Sequence, residues 1–187
     1  MKTWKTTFAV VCGGILMSGQ VFAEIAKTKE SFDSIETLTV QKGYKCPEAT
    51  GVLNVEKKKE GKASLQVKYV GSEQVYGVAY VNKKLSKAID ITGKTFEVWV
   101  MPLNEDSGYW GINFIDKDGN MVERHRVYSL KLNQWNKLTF EQGEKIKYGW
   151  FEKHDGDPKK VKTIQFRAQT KHYGVAGEDL WDNFSIK

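Results

Sequence analysis

Apolar and polar residues alternate with a period of two along most of this 187-residue chain, and no stretch keeps the period of an amphipathic helix. A strand points successive side chains to opposite faces, so this pattern predicts strands with one buried and one exposed face. Clusters of Gly, Asn and Asp separate the alternating segments at intervals that suit turns. The sequence therefore predicts an all-β fold of two packed antiparallel sheets, a β-sandwich. The clearest strands are GVLNVE, SLQVKYV, VYGVAYV, TFEVWVM, YWGINFI, RHRVYSL, NKLTFE, TIQFRAQ and LWDNFSI.

Two turn segments predict hairpins between these strands. DKDGN, residues 116–120, supplies the Asp-Gly pair that a tight hairpin turn favours. EKKKEGKA, residues 56–63, predicts a second hairpin. We interpret its lysines as a solvated turn rather than a binding patch.

The first 23 residues have the features of a secretory signal peptide. Lys2 and Lys5 give a positive start, an apolar run follows, and VFA precedes Glu24. The apolar run is shorter than the roughly 20 residues that a membrane-spanning helix needs, although a retained membrane anchor is the alternative. We expect cleavage after Ala23, a single domain over residues 24–187 without a membrane span, and a secreted or periplasmic location.

Charge and cysteine content narrow the classes of ligand and metal that this chain could bind. The net charge of +6 becomes +4 without the two signal-peptide lysines, and the remaining lysines are scattered. This argues against nucleic acid as a partner but leaves an acidic polysaccharide open. Cys46 would be the one cysteine left, so no internal disulfide can form, and the oligomeric state stays open. No His or Cys spacing suits zinc, which leaves oxygen ligands and a cation such as calcium.

Alternation also separates core residues from exposed ones within each strand. The expected core residues are Phe96, Val98, Val100, Trp110, Ile112, Phe114, Ile164, Phe166 and Ala168. If the strands belong to one sheet, its outward face carries aromatic rings, amides, a carboxylate and guanidinium groups, which suits sugar rings and their hydroxyls. The predicted ligand-binding residues are Glu97, Trp99, Tyr109, Asn113, Arg124, Arg126, Tyr128, Gln165, Arg167 and Gln169. The alternative is that Trp99 and Tyr109 are half-buried under loops and that the polar residues are ordinary solvated positions.

The other tryptophans are assigned by their context. Trp110, Trp135 and Trp181 are expected in the core. Trp150 lies in KYGWFEKHDG, which we interpret as a loop that could line the rim of a site.

Five segments, taken in order, resemble a known family. They are SFDS, EGKASLQV, AIDITGKTFEVWV, LNQWNKLTF, and VKTIQFRAQ followed by GEDLWDNFSIK. They resemble the jelly-roll carbohydrate-binding modules of the galactose-binding-like fold, which are attached to xylanases, glucanases and related secreted enzymes. The resemblance implies a jelly-roll β-sandwich and a secreted, non-catalytic protein that binds a polysaccharide or oligosaccharide on the exposed face of one sheet.

The same resemblance implies a structural calcium ion. In such modules an acidic residue of the last strand helps to hold the ion, together with an acid of the first strand and carbonyls near the Gly-Lys hairpin. In this sequence those positions are Asp182, Asp33 and the neighbourhood of Glu60 to Lys62. The alternative for Asp182 is a side chain hydrogen-bonded to nearby backbone.

Two other function classes remain open at this stage. A small secreted glycoside hydrolase needs two carboxylates, for which Glu97 and Glu123 are the strand-placed candidates. A polysaccharide lyase could use His125 or Tyr128 as base with Arg124 or Arg126, although His125 points away from both arginines. A cell-envelope protein that binds another protein would show a contiguous exposed apolar patch instead.

Overall fold

The computed structural model describes residues 29–32, 36, 38–145 and 149–187. The expected signal peptide, residues 1–23, and the predicted metal ligand Asp33 lie outside these ranges. The strands are β1 (Lys29–Glu30), β2 (Leu38–Lys42), β3 (Glu48–Asn54), β4 (Ser64–Val70), β5 (Tyr76–Ile89), β6 (Thr95–Pro102), β7 (Ser107–Asp116), β8 (Met121–Tyr128), β9 (Asn136–Glu141), β10 (Gly149–Lys153), β11 (Val161–Tyr173) and β12 (Ala176–Ile186). A 3-10 turn, Pro158–Lys160, precedes β11. Within the described ranges, no helix is long and apolar enough to cross a membrane.

The strands form two sheets that pack face to face. The first sheet has the order β3-β4-β12-β6-β9, with β1 paired to β12, and the second has the order β10-β8-β7-β11-β5-β2. Every pairing is antiparallel. The predicted all-β sandwich is therefore confirmed, and each of the nine predicted strands overlaps an observed one. The short strands β1, β2 and β10 were not predicted.

Both predicted hairpins are present. Between β7 and β8, Asp116 Oδ1 accepts hydrogen bonds from the backbone N–H of Asp118 and Asn120 at 2.9 and 2.8 Å. Gly119 has a φ of +90°, a conformation that glycine adopts without steric cost. Between β3 and β4, Asn54 pairs with Ser64, which closes the lysine-rich turn.

The inward faces of the two sheets form one hydrophobic core. All nine residues that alternation assigned to the core are at most 2% exposed, as is Trp181. Trp135 is only half-buried, so its assignment to the core was wrong. The reason is positional: Trp135 precedes the first residue of β9 and does not lie on a strand that faces the core.

A polar pair is buried in the sandwich between β4 and β12. The Tyr69 hydroxyl donates a hydrogen bond to Asp179 Oδ2 at 2.7 Å, and both residues are fully buried. Gly177 faces the Tyr69 ring, where a Cβ atom would lie only 2.2 Å from it. Burial raises the pKa of the Asp179 carboxyl to about 6, because a charged carboxylate is poorly solvated in the core.

Candidate functional site

The outward face of the second sheet carries eight of the ten predicted ligand-binding residues, of which Asn113 and Arg167 are only 3% and 9% exposed. β8, β7 and β11 are neighbours in this sheet, so their outward side chains come together. These eight residues are Tyr109, Asn113, Arg124, Arg126, Tyr128, Gln165, Arg167 and Gln169. We call this surface the candidate face. The strand register arranges its side chains in rows that cross the sheet.

One row, which we call the amide row, is a chain of hydrogen-bonded carboxamides. In register it contains Glu152, Arg124, Asn113, Gln165, Asn82 and Thr39. Asn113 Nδ2 donates to Gln165 Oε1 at 2.6 Å, and Gln165 Nε2 donates to Asn82 Oδ1 at 2.8 Å. These bonds fix three amide groups from three adjacent strands. Fixed amides can offer donors and acceptors to a ligand without paying much ordering entropy.

The next row, which we call the arginine row, combines guanidinium groups with aromatic rings. In register it contains Trp150, Arg126, Gly111, Arg167, Tyr80 and Gln41. The Arg126 guanidinium carbon lies 4.7 Å from the Trp150 ring centroid, and that of Arg167 lies 5.9 Å from the Tyr80 centroid. Arg167 also donates to Gln169 Oε1. Aromatic stacking of this kind holds a guanidinium in a defined plane.

Positive charge accumulates on this face. Arg124 Nη1 lies 3.8 Å from Glu152 Oε2, which is the carboxylate of these two rows. The pKa of Arg126 falls below its ordinary value because of burial first and repulsion from Arg167 and Arg124 second. The side chains therefore keep like charges close together without an equal number of opposing carboxylates.

Tyrosines line one end of the face. Tyr109 and Tyr128 meet edge-to-face with centroids 5.1 Å apart, and Tyr76 and Tyr173 pack at 4.2 Å. Tyr76, Tyr109 and Tyr128, together with Arg126 and Gln169, border an open depression of about 340 Å³. This end presents aromatic surface beside polar groups.

The remaining two predicted residues lie elsewhere. Glu97 and Trp99 are on β6, which belongs to the first sheet, so the expectation of a single shared face was wrong for them. Alternation gives the direction of a side chain but does not say to which sheet its strand belongs. The Trp99 ring lies beneath Lys59 Nζ at 4.3 Å. Glu97 binds Lys137 and Lys187, and both ion pairs lower its pKa.

Several residues of the candidate face were absent from the predicted ligand-binding set, although Trp150 was expected in a loop that could line the rim of a site. Trp150 and Glu152 lie on β10, a strand whose half-buried residues show no alternation and which sequence reasoning treated as a loop. Tyr80 and Asn82 lie on β5. Alternation within VYGVAYVN could have found them, because the intervening Val81 is buried in the core.

The two hydrolase carboxylates and the lyase candidate His125 do not assemble on an accessible surface, whereas Tyr128 and Arg126 of the lyase set border the same depression. Glu123 and His125 point into the sandwich and are 1% and 0% exposed, with His125 Nε2 2.9 Å from Glu123 Oε1. Glu123 Oε2 also accepts from the backbone N–H of Gly143 at 3.1 Å. Since Glu97 lies half-buried on the outer face of the first sheet, the two carboxylates named for a hydrolase do not face a common cleft. His125 likewise lies on the opposite side of β8 from Arg124 and Arg126.

The implied calcium ligands come together in part. Asp182 is buried, and its Oδ2 accepts hydrogen bonds from the backbone N–H of Lys59 and Glu60 at 2.7 and 2.9 Å. Its Oδ1 accepts from Asn183 N at 2.7 Å. Strand β12 thus contacts the β3–β4 turn, which is the contact that the resemblance implied. Lys62 can offer only its carbonyl oxygen to a cation, because its side chain is itself positively charged.

The side chains in the described ranges give no further metal ligands. There, no group of three or more His, Cys, Asp and Glu residues is arranged to hold a metal ion. Both carboxylate oxygens of Asp182 accept hydrogen bonds from backbone N–H groups, which is the alternative that the sequence left open for this residue. Calcium therefore stays a prediction that depends on Asp33.

Comparison with solved structures shows which fold this is. The family 11 carbohydrate-binding module from Clostridium thermocellum, solved with a β-1,3-1,4-mixed-linked tetrasaccharide, matches with a TM-score of 0.59 at 12% identity over 84% of this chain and 92% of that chain. This chain has the β-sandwich fold of carbohydrate-binding modules. The family 22 xylan-binding domain from Paenibacillus barcinonensis also matches this chain. The TM-score is 0.53 at 13% identity, over 85% of this chain and 91% of that chain.

The same sandwich also occurs within a larger enzyme. An exo-β-agarase matches with a TM-score of 0.59 at 8% identity, over 86% of this chain and 25% of that one. No protein-family profile matches the sequence, and no curated protein matches it either. The resemblance to the carbohydrate-binding-module fold is therefore carried by the three-dimensional structure, in agreement with the expectation from the sequence.

Proposed function

We propose that this chain is a secreted, non-catalytic carbohydrate-binding protein that recognises a polysaccharide on the candidate face. The observation that carries the proposal is the fixed amide row, Asn113, Gln165 and Asn82, beside aromatic rings on the same surface. A pyranose has an apolar ring face that packs on aromatic rings and hydroxyls that pair with amide and guanidinium groups. The candidate face offers both kinds of contact side by side.

Unsatisfied polar atoms on the same surface support the proposal. Asn113 Oδ1 and the Nε atoms of Arg124, Arg126 and Arg167 are buried and have no hydrogen-bond partner among the described protein atoms. A buried polar atom without a partner costs about 1–3 kcal/mol, so native proteins usually supply one. A sugar whose binding shifts these side chains would supply the missing partners.

The fold adds support of a more general kind. The matched Clostridium thermocellum module was solved with a glucan tetrasaccharide, and the Paenibacillus barcinonensis domain is described as xylan-binding. For this chain we propose the same class of activity, not the same glycan. We further propose that residues 1–23 are removed on export and that a calcium ion bound by Asp182, Asp33 and the Glu60–Lys62 turn stabilises the mature domain.

Affinity electrophoresis of the mature protein through gels containing different polysaccharides tests this function. Reducing-sugar and unsaturated-product assays run on the same mixtures. We expect retardation by at least one polysaccharide without release of product. The Tyr80→Ala variant, which removes one ring from the face, should migrate faster than the wild type in that gel and equally in a gel without polysaccharide.

The other outcomes would replace the proposal with a specific alternative. Released product would make the protein an enzyme. Migration unaffected by every polysaccharide would favour a cell-envelope protein that binds another protein. Export is tested separately by sequencing the amino terminus of the protein recovered outside the cytoplasm, where we expect Glu24 as the first residue.

A further inference from the structure

The geometry points to an anionic sugar as the ligand: we propose that a carboxylate or sulfate ester of the polysaccharide binds between Arg126 and Arg167. This inference rests on the proposed function and adds the charge class of the ligand and the position of its charged group. Recognition of the hydroxyl groups of a neutral sugar does not need such a pair of guanidinium groups.

The strand register places Arg126 and Arg167 on either side of Gly111. Arg126 and Arg167 are both paired with Gly111, one on each neighbouring strand, so their Cα atoms are about two strand spacings, roughly 10 Å, apart. Gly111 contributes no side chain to the space between them. A Cβ atom at that position would lie 3.3 Å from Arg126 Cγ and 2.2 Å from the His125 carbonyl oxygen. Glycine therefore allows the β8 backbone and the Arg126 side chain to approach β7 closely.

The rings beside the arginines fix their orientation. The Trp150 ring lies against the Arg126 guanidinium and the Tyr80 ring against that of Arg167. Stacking uses the faces of the guanidinium planes and leaves N–H edges for hydrogen bonds, of which Arg167 already uses one with Gln169 Oε1. Those edges match the paired oxygens of a carboxylate or a sulfate, to which arginine can donate two parallel hydrogen bonds.

The excess positive charge of the two rows favours an anionic ligand group over a neutral hydroxyl. The amide and arginine rows, all within the described ranges, contain three arginines and one carboxylate, Glu152. Glu152 lies nearest to Arg124 and His154, at 3.8 and 3.2 Å. Among the described residues, no carboxylate lies within 4 Å of Arg126 or Arg167. Repulsion from Arg167 and Arg124 helps to lower the pKa of Arg126, and a bound anion would relieve that repulsion.

Pairs of polysaccharides that differ only in charge test this inference. Polygalacturonate is compared with its highly methyl-esterified form, and carrageenan with its desulfated form. Mixed-linkage β-glucan and xylan serve as neutral polymers. Affinity is measured by titration calorimetry at fixed ionic strength, for the wild type and for the double variant Arg126→Gln with Arg167→Gln.

A charge-matched variant controls for general attraction of polyanions to a basic protein. Lys68→Gln with Lys137→Gln removes two positive charges from the outer surface of the first sheet. Thermal unfolding checks that both double variants are folded. If the double arginine variant unfolds, Arg126→Gln alone takes its place.

We expect one charged polymer to bind at least ten-fold tighter than its uncharged form. The arginine variant should lose that preference and the lysine variant should keep it. A preference for polygalacturonate would identify a uronate carboxylate, and a preference for carrageenan a sulfate ester. Equal binding of charged and uncharged forms would overturn this inference and leave the proposed function in place. Equal losses of affinity in the two double variants would have the same meaning. Binding of none of the polymers would overturn the proposed function itself.

Discussion

The Arg126 guanidinium lies 4.7 Å from the centroid of the Trp150 ring, across the pairing of β8 with β10. This contact joins a residue that alternation had assigned to the site with a residue that it had assigned to a loop. It extends the candidate face to the edge strand of the second sheet. It also predicts which tryptophan contributes to glycan binding.

We expect Trp150→Ala to weaken glycan binding by more than ten-fold. The substitution removes an aromatic surface and leaves the Arg126 side chain without the ring that orients it. Because Trp150 is half-buried on an edge strand, the melting temperature should fall by only a few degrees. Affinity electrophoresis and thermal unfolding of the same preparations measure both effects.

Trp99→Ala is the matched control. Trp99 is also half-buried, but it lies on the first sheet beneath Lys59. Its loss should leave glycan binding within two-fold of the wild type. A larger loss in Trp99→Ala than in Trp150→Ala would move the binding surface to the other sheet.

Gln165→Ala should weaken glycan binding about ten-fold. Gln165 holds both Asn113 and Asn82, so its removal frees two carboxamides to rotate and leaves polar groups without partners. Gln66→Ala is a suitable comparison, because Gln66 makes similar contacts with Asn54 and Glu178 on the first sheet. Titration calorimetry of the two variants should separate them. Similar affinities for both would show that the amide row does not contact the ligand.

Trp110→Ala should lower the free energy of unfolding by about 3–5 kcal/mol, because a large side chain that is 2% exposed would leave a cavity. Urea denaturation at constant pH measures the loss. The fraction that remains folded should still bind glycan, since Trp110 points into the core and not onto the candidate face. A loss below 1 kcal/mol would mean that the core collapses around the missing ring.

Asp179 should make the protein less stable as the pH rises from about 4 to above 6. Its pKa is raised from 3.8 to about 6 in the folded protein, so the protonated carboxyl favours folding. That contribution is present in full below the unfolded pKa and is lost as the pH rises through the folded pKa, by about 3 kcal/mol for a shift of roughly two units. The Asp179→Asn variant stays neutral, so its stability relative to the wild type should increase over this range. Urea denaturation at several pH values compares them, and parallel profiles would contradict the assignment.

Removal of calcium should lower the melting temperature of the mature protein. A cation held by Asp182 and Asp33 would bind the folded state only, so chelation with EDTA removes its stabilisation. Asp182→Asn is less stable because it loses a charged acceptor for the N–H groups of Lys59 and Glu60. The informative quantity is therefore the effect of EDTA, which should be present in the wild type and absent in Asp182→Asn. No effect of EDTA on the wild type would remove calcium from this turn.

Alternation predicted the direction of side chains well and the partnership of strands poorly. Val98, Ile112 and Phe166 face the core as expected, because burial of apolar side chains on one face is a local property of each strand. Glu97 and Trp99 were grouped with residues of another sheet, because pairing depends on contacts between segments far apart in the sequence. No local pattern records that β6 pairs with β12 rather than with β7.

The interior polar residues were harder still to predict. Glu123 and His125 occupy inward positions that alternation reserves for apolar side chains, and they are stable there because they bind each other. Strand β10 could not be recognised from alternation. It is an edge strand with residues half-buried on both sides, so buried and exposed positions do not alternate along it. Pairing of β10 with β8 is what brings Trp150 into the site.

The order of strands has a consequence for how this protein emerges from the ribosome. β11 lies between β5 and β7 in the second sheet, and β12 lies between β4 and β6 in the first. The two strands synthesised last among those described are thus inserted between neighbouring strands that are made earlier. The second sheet and the amide row cannot form until β11, which ends at Tyr173, has been made, and the first sheet cannot form until β12, which ends at Ile186, has been made. Such long-range pairing slows folding and leaves apolar strands exposed in the nascent chain, so glycan binding would report that β11 has been made and has paired within the second sheet.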